Sequence, residues 1–307
     1  MAKYLDPKAD LTFKKVFGEH PNLVASLLNS LLPLPAGEEI ADIEYMSPER
    51  VPRTSIGKNS IVDVFCKTKD GRKFIVEMQM CWTADFKDRA LFNSAKVYVD
   101  QLEHAEDFSL LRPVYSLNLV DAVFEKDVPE FIHHYKVVHE KYTDKLIEGF
   151  HIVFVELPKF KPQSIAERKM AVLWLRFLTE INKTTEQVPD EFMESIEISQ
   201  AVKLVEESAY TREQLMGYDL FWDAVRVAKT LASAPERSYK AGLKEGEAKG
   251  KEAGLREGKE KLLQTARNLK AMNLTNEQIA AATGLSAVEI ARLSLPLGLE
   301  SALRSPR

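Results

Sequence analysis

Cysteine is scarce: Cys66 and Cys81 are the two among 307 residues. Two thiols so placed cannot build the disulfide framework that holds small secreted domains together, and a reducing cytoplasm is the expected compartment. Long apolar runs are missing as well. No stretch reaches the roughly 20 residues that a bilayer-spanning helix needs. The opening MAKYLDPKADLTFKK lacks the basic-then-apolar order of a secretory signal. A cytoplasmic protein without a membrane partner is therefore expected. An excess of positive charge is also lacking, since 42 Lys and Arg stand against 46 Asp and Glu, for a net charge of −4. Any contact with nucleic acid then has to come from a local patch rather than from a global field. What is present, 45% hydrophobic and 29% charged residues, suffices for one large core or two smaller ones in an ordinary globular chain.

The segment DPKADLTFKKVFGEHPNLVASLLNSLLP predicts one or two amphipathic helices. Leu11, Phe13, Val16 and Phe17 fall on one face, Leu23, Leu27, Leu28, Leu31 and Leu32 follow, and Pro33 and Pro35 end the unit. IADIEYM reads as extended and SPERVPRTSIGKNS as a polar loop. DFKDRALFNSAKVYVDQLEHAED reads as a helix, because Ala90, Leu91, Ala95, Val97, Tyr98 and Leu102 recur near helical spacing. RPVYSLNLVDAVF, FIHHYKVVHEK and FHIVFVELPKF are rich in branched and aromatic residues and read as strands. This order predicts an α/β core over residues 1–162, followed by a helical appendage over 163–236.

Beyond it, Gly242, Gly246, Gly250, Gly254 and Gly258 recur every fourth residue among Lys, Glu and Ala, which sets off 237–262 as a helix or linker. Each glycine costs a helix up to about 1 kcal/mol relative to alanine. The repeat is either a close helix–helix seam, most simply a homodimer, or a mobile charged linker. Residues 263–307 carry a helix-turn-helix-like pattern. Thr275 with Gln278 and Ser286 with Glu289 form two capping boxes around Gly284 and Leu285, and Ile279, Ala280, Leu285, Ile290 and Leu293 supply a small core. The second helix offers Ala287, Val288, Glu289 and Arg292, one cation beside one acid. That is little for phosphate contact, so protein interaction or oligomerisation is favoured over sequence reading.

The stretch richest in chemistry is IVDVFCKTKDGRKFIVEMQM, residues 61–80. Asp-Gly in KDG suits a type I turn followed by a left-handed glycine, hence a three-residue loop. In that register Thr68 faces Arg72, Phe65 faces Ile75, and Asp63 falls opposite Glu77. Val62, Val64 and Cys66 then share an apolar face with Phe74, Val76, Met78 and Met80. Asp63, Glu77 and Gln79 lie on the other face among Ile61, Phe65 and Ile75. A two-residue loop would instead put the two acids on opposite faces. Facing like charges destabilise a strand pair, and burial makes this worse. A divalent hard cation, a shared proton or a neighbouring Lys or Arg would each compensate.

An acid in one strand and Glu-x-Lys in the next resembles the signature of the PD-(D/E)XK nucleases, here with Gln79 at the lysine position. Residues 4–160 resemble more closely the recombination-promoting nuclease (Rpn) branch of that superfamily, through PKADLTFKKVFG, the 61–80 hairpin and FVELPKF. The resemblance implies a restriction-endonuclease-like α/β core, a mixed central sheet flanked by helices, ahead of a C-terminal helical tail. It implies a DNA endonuclease in which Asp63, Glu77, the Met78 carbonyl and Asp10 hold Mg²⁺ or Mn²⁺ and Gln79 positions the attacking water. Lys14, Lys58 or Arg89 would supply the cation that the superfamily takes from lysine. Asp10 could otherwise cap its helix or pair with Lys14.

Overall fold

The computed structural model describes residues 3–47, 49–50, 60–103, 106–162 and 169–293. The chain divides into two compact units, Met1–Ala232 and Ser233–Arg307.

In the first unit, α1 (Asp10–Phe13) runs into a π-helical turn at Lys14–Gly18, and α2 (Pro21–Leu31) begins on a proline, whose missing N–H has no partner to lose at a helix start. Short strands β1 (Glu44–Tyr45), β2 (Glu49–Arg50) and β3 (Ser60–Ile61) lead to the hairpin β4 (Val64–Lys67) and β5 (Lys73–Gln79). The next elements are α3 (Phe86–Val99), β6 (Val114–Val120), β7 (Ile132–Val138) and β8 (Leu146–Glu156). Helices α4 (Lys169–Glu180), α5 (Asp190–Glu194) and α6 (Ile196–Leu204) complete the layers. The sheet order is β1-β4-β5-β6-β8-β7, with β5, β6 and β8 parallel and the remaining pairs antiparallel, while β2 and β3 form a separate ribbon. This is the mixed α/β architecture expected from the sequence.

The KDG loop has the three-residue form. Thr68 N–H donates to the Arg72 carbonyl at 3.0 Å, Gly71 N–H returns to the Thr68 carbonyl at 3.0 Å, and Gly71 adopts φ 89°. Val64 faces Val76, Phe65 faces Ile75 and Cys66 faces Phe74, the register read from the turn.

The two sheet faces differ in what covers them. Val64, Cys66, Phe74, Val76, Tyr115, Leu117, Leu119, Val153 and Val155 join Phe13, Phe17, Trp174, Phe177 and Phe192 in one large core under α2, α4 and α6. Helices α4, α5 and α6 thus share the same apolar cluster as the sheet. Val62 departs from expectation. It packs on the opposite face with Phe65, Ile75, Val97 and Val114, because the chain bends at Asp63 and the strict alternation of a strand ends there.

Helix α7 (Arg212–Ala271) contains the boundary between the units. In the second unit α8 (Asn276–Thr283) and α9 (Ala287–Ala291) surround Ala266, Ile279, Leu285, Ile290 and Leu293. Both capping boxes form, and Gly284 takes the left-handed C-cap at φ 71°. The glycine repeat lies within α7, and a Cβ added at any of its five positions would meet no neighbour within 4 Å. Packing within the described chain therefore does not account for the spacing.

These two glycine environments predict opposite substitution effects. Gly71→Ala forces a side chain into positive φ with Arg112 Cγ 3.4 Å away and should cost about 1–2 kcal/mol in urea unfolding. Gly250→Ala should raise helicity in circular dichroism, with a gain of up to about 1 kcal/mol.

Candidate active site

The site begins where the β4–β5 ladder ends. Lys73 N–H donates to the Pro113 carbonyl at 3.4 Å and Asp121 N–H to the Gln79 carbonyl at 2.8 Å, so odd-numbered peptide groups of β5 are used by β6. Even-numbered groups turn toward β4. A continued ladder would give Met78 N–H to Val62, but the bend at Asp63 intercepts it and Asp63 Oδ2 accepts that N–H at 2.7 Å. The Met78 carbonyl, on the same side of its strand as its N–H, faces this edge too.

Glu77 projects from β5 toward α3 and is only 6% exposed. Its Oε1 accepts a hydrogen bond from Asn93 Nδ2 at 2.8 Å. Asn93 occupies the inward stripe of α3 together with Phe86, Ala90 and Val97. The sequence reading passed over Asn93, although a polar residue at an apolar helical position was a signal available to it.

Burial pushes the Glu77 carboxyl up to about 7; the Asn93 bond opposes this and the Asp63 charge adds to it. Burial likewise raises Asp63, against the Met78 N–H, and the charge of Asp10 raises it further while Lys14 and Arg89 pull it down. Among the described residues neither carboxylate has an ion-pair partner.

Asp10, Lys14 and Arg89 therefore come into the electrostatic reach of Asp63. Asp10 is not a helix cap, because the cap position falls on Ala9, one residue earlier. It pairs with Lys14 at 2.7 Å, both side chains being about half exposed. Arg89 lies over the Phe86 ring, 5.1 Å from its centroid, and its charge bears on both Asp63 and Glu77. Gln79 shares the Glu77 face, but its Nε2 is committed to the Cys81 carbonyl at 2.7 Å, leaving Oε1 as its acceptor. Lys58 lies outside the described residues.

Glu156, also passed over in the sequence, is fully buried at the end of β8. It accepts hydrogen bonds from the N–H groups of Phe124 at 2.5 Å and Glu125 at 3.1 Å and bonds His133 Nε2 at 2.9 Å, besides pairing with Lys159. Burial pushes its carboxyl up, yet the bonds from Lys159, His133 and the two amides outweigh that and hold it below the usual range. It ties down the connection between β6 and β7.

Comparison with known families bears directly on this arrangement. A family described as PD-(D/E)XK nuclease family transposase matches residues 7–224, well over half of the chain. The chain belongs to that family. The match agrees with the resemblance read from the sequence and spans Asp10, Asp63, Glu77 and Arg89. No curated protein and no solved structure matches the chain. Membership supports a nuclease- or transposase-related function, and nucleases of this superfamily generally use divalent metal ions. The donor set suits such an ion, since the buried Glu77 and half-buried Asp63 carboxylates, without a paired cation among the described residues, and a carbonyl at the same edge are hard oxygen ligands. No cluster of three or more His, Cys, Asp or Glu able to hold a metal occurs among the described residues, so the carbonyl and water would have to complete the shell. No described helix is long and apolar enough to cross a membrane.

A folded-state carboxyl raised from 4.5 to about 7 contributes stability that is present below about pH 4.5 and lost as pH rises through 7. In metal-free buffer Glu77→Gln should therefore match the wild type near pH 4.5 and unfold later at pH 8, by on the order of 2 kcal/mol. Thermal melts across pH measure this, and a less stable variant at pH 8 contradicts it.

Proposed function

We propose that the protein is a metal-dependent DNA endonuclease that hydrolyses phosphodiester bonds with little sequence preference, in the setting of recombination, transposition or defence. The observation that carries this reading is the pair of half-buried Asp63 and buried Glu77, two acids with raised pKa and, among the described residues, no paired cation, at the end of a strand ladder. Mg²⁺ or Mn²⁺ would be held by the free oxygens of Asp63 and Glu77 and by the Met78 carbonyl, with Asp10 beside them. Bound there, the ion lowers the pKa of a coordinated water and polarises the scissile phosphate.

The chain's own residues do the rest. Glu77, oriented by Asn93, and Asp63, oriented by the Met78 N–H, present fixed oxygens. Gln79 Oε1 accepts a hydrogen bond from the attacking water and so aims its lone pair, while a glutamine amide, unlike lysine, cannot neutralise charge. Lys14 and Arg89 are the cations whose charge reaches Asp63, and they are assigned to the phosphate. A homodimer through the tail and a cytoplasmic location complete the reading. A second reading, a non-catalytic nuclease fold that binds DNA or protein, draws on Gln79, whose amide nitrogen is held by Cys81 where the superfamily has a lysine.

Supercoiled plasmid incubated with Mg²⁺ or Mn²⁺ tests the proposal. The wild type should nick it, and Asp63→Ala and Glu77→Ala should fall to background. Cleavage that survives both substitutions removes the site assignment, and an inactive wild type with either metal favours the non-catalytic reading. Sizing the full chain against one ending at Ala234 tests the tail: the full chain should elute as a dimer and the shorter one as a monomer.

A further inference from the structure

The sheet face under α3 carries two apolar clusters rather than one. Phe65, Ile75, Val97 and Val114 gather with Val62 on one side, and Phe86, Ala90, Val120, Ile152 and Phe154 gather on the other. Between them lies a band of buried polar side chains, Glu77, Asn93, Ser94, Ser116 and Asn118. A polar band through a core is costly unless its members are hydrogen-bonded. Ser94 satisfies itself on the Ala90 carbonyl at 2.8 Å, and Asn93 reaches Glu77.

Asn118 is the exception. It is fully buried and stands directly beside Glu77 in the β5–β6 ladder. Its Nδ2 donates to Ser116 Oγ at 3.0 Å and to the Val153 carbonyl at 3.2 Å, with the Ser116 carbonyl at 3.4 Å. A carbonyl only accepts, so the amide nitrogen must lie on that side and the orientation of the group is settled. Val153 belongs to β8, on the far side of β6 from β5. The amide oxygen is thereby left on the Glu77 side, where Oδ1 accepts no hydrogen bond from any described residue. Leaving such an acceptor unmet is costly in a buried site. A β-branched apolar residue would suit the strand without that cost.

We propose that Asn118 is a positioning residue of the candidate site, its Oδ1 and the second oxygen of Glu77 being bridged by one buried water that donates a hydrogen to each. Asn93 then holds one oxygen of the carboxylate and the Asn118-bound water the other, which fixes the direction in which Glu77 faces Asp63. The effect on metal affinity rests on the reading of Glu77 as a ligand. Groups that orient a metal ligand in this way typically change affinity by about 10–100-fold when removed.

Asn118→Thr and Asn118→Val are nearly isosteric, both suit a strand, and they differ in one oxygen, so the pair separates hydrogen bonding from packing. Mn²⁺ binding to the full chain, followed by electron paramagnetic resonance alongside thermal melts, is the readout. Asn118→Val should bind Mn²⁺ about 10–100-fold more weakly than the wild type while melting no lower than Asn118→Thr, and the threonine should recover most of the affinity. Glu77-dependent binding that is equally tight in both variants and the wild type overturns the role of Asn118 alone. Mn²⁺ binding that Glu77→Ala leaves unchanged overturns the metal reading of Glu77 and, with it, this inference.

Discussion

Where β4 parts from β5, the Met78 N–H loses its backbone acceptor and the Asp63 carboxylate takes it at 2.7 Å. Everything distinctive about the site depends on that substitution. It ends the ladder without orphaning a peptide group, which would be costly in a buried sheet. It fixes an acid at the strand edge, and it turns Val62 to the opposite face. It also brings a second negative charge close enough to Glu77 to raise its pKa further. A regular hairpin two residues longer would still have set Asp63 opposite Glu77, but with the Met78 N–H on a backbone acceptor and Val62 on the face of Val64.

The protein can carry this strain because the other face of the sheet is almost wholly apolar. The large cluster from Phe13 and Phe17 to Trp174 and Phe192 is continuous across four strands and helices α1, α2, α4, α5 and α6, and burial on that scale supplies the stability that a polar band on the opposite face subtracts. The sheet of the first unit is thus asymmetric, with one face packed in a single apolar cluster and the other carrying the candidate site between two smaller ones. Glu156, buried and bonded on every side, holds the β6–β7 connection that borders the chemical face. The second unit has its own small core and sharply capped helices, and the glycine repeat ahead of it gains nothing from contacts within the described chain. The entropy cost of those glycines in a helix is therefore not offset within the described chain.

Much of this was legible in the residues. The Asp-Gly turn chemistry set the hairpin register, since glycine alone enters the left-handed region without penalty. Helical and strand periodicity marked α2, α3, β6 and β8, and the capping boxes at Thr275 and Ser286 marked the tail helices because their hydrogen bonds span only three residues. Asn93 left a polar mark on the apolar stripe of α3, but neither its partner nor the roles of Asn118 and Glu156 were legible. Their roles depend on partners 16, 35 and about 30 residues away, and no local pattern encodes which of two isolated polar residues will meet.

Asp10 shows the same division at one position. Its pairing with Lys14 is a matter of helical spacing and could be read directly, while its influence on Asp63 arises only once α1 is brought near the end of β4. The sequence by itself determined most of the elements, the β2–β3 ribbon in the stretch read as a loop excepted, with the register and the two acids, because turns, caps and alternation are short-range. Only the tertiary structure decided that Glu77 would be buried between two asparagines with the half-buried Asp63 nearby and, among the described residues, no cation paired with either acid, because burial and electrostatic environment are set by what long-range packing places around a group.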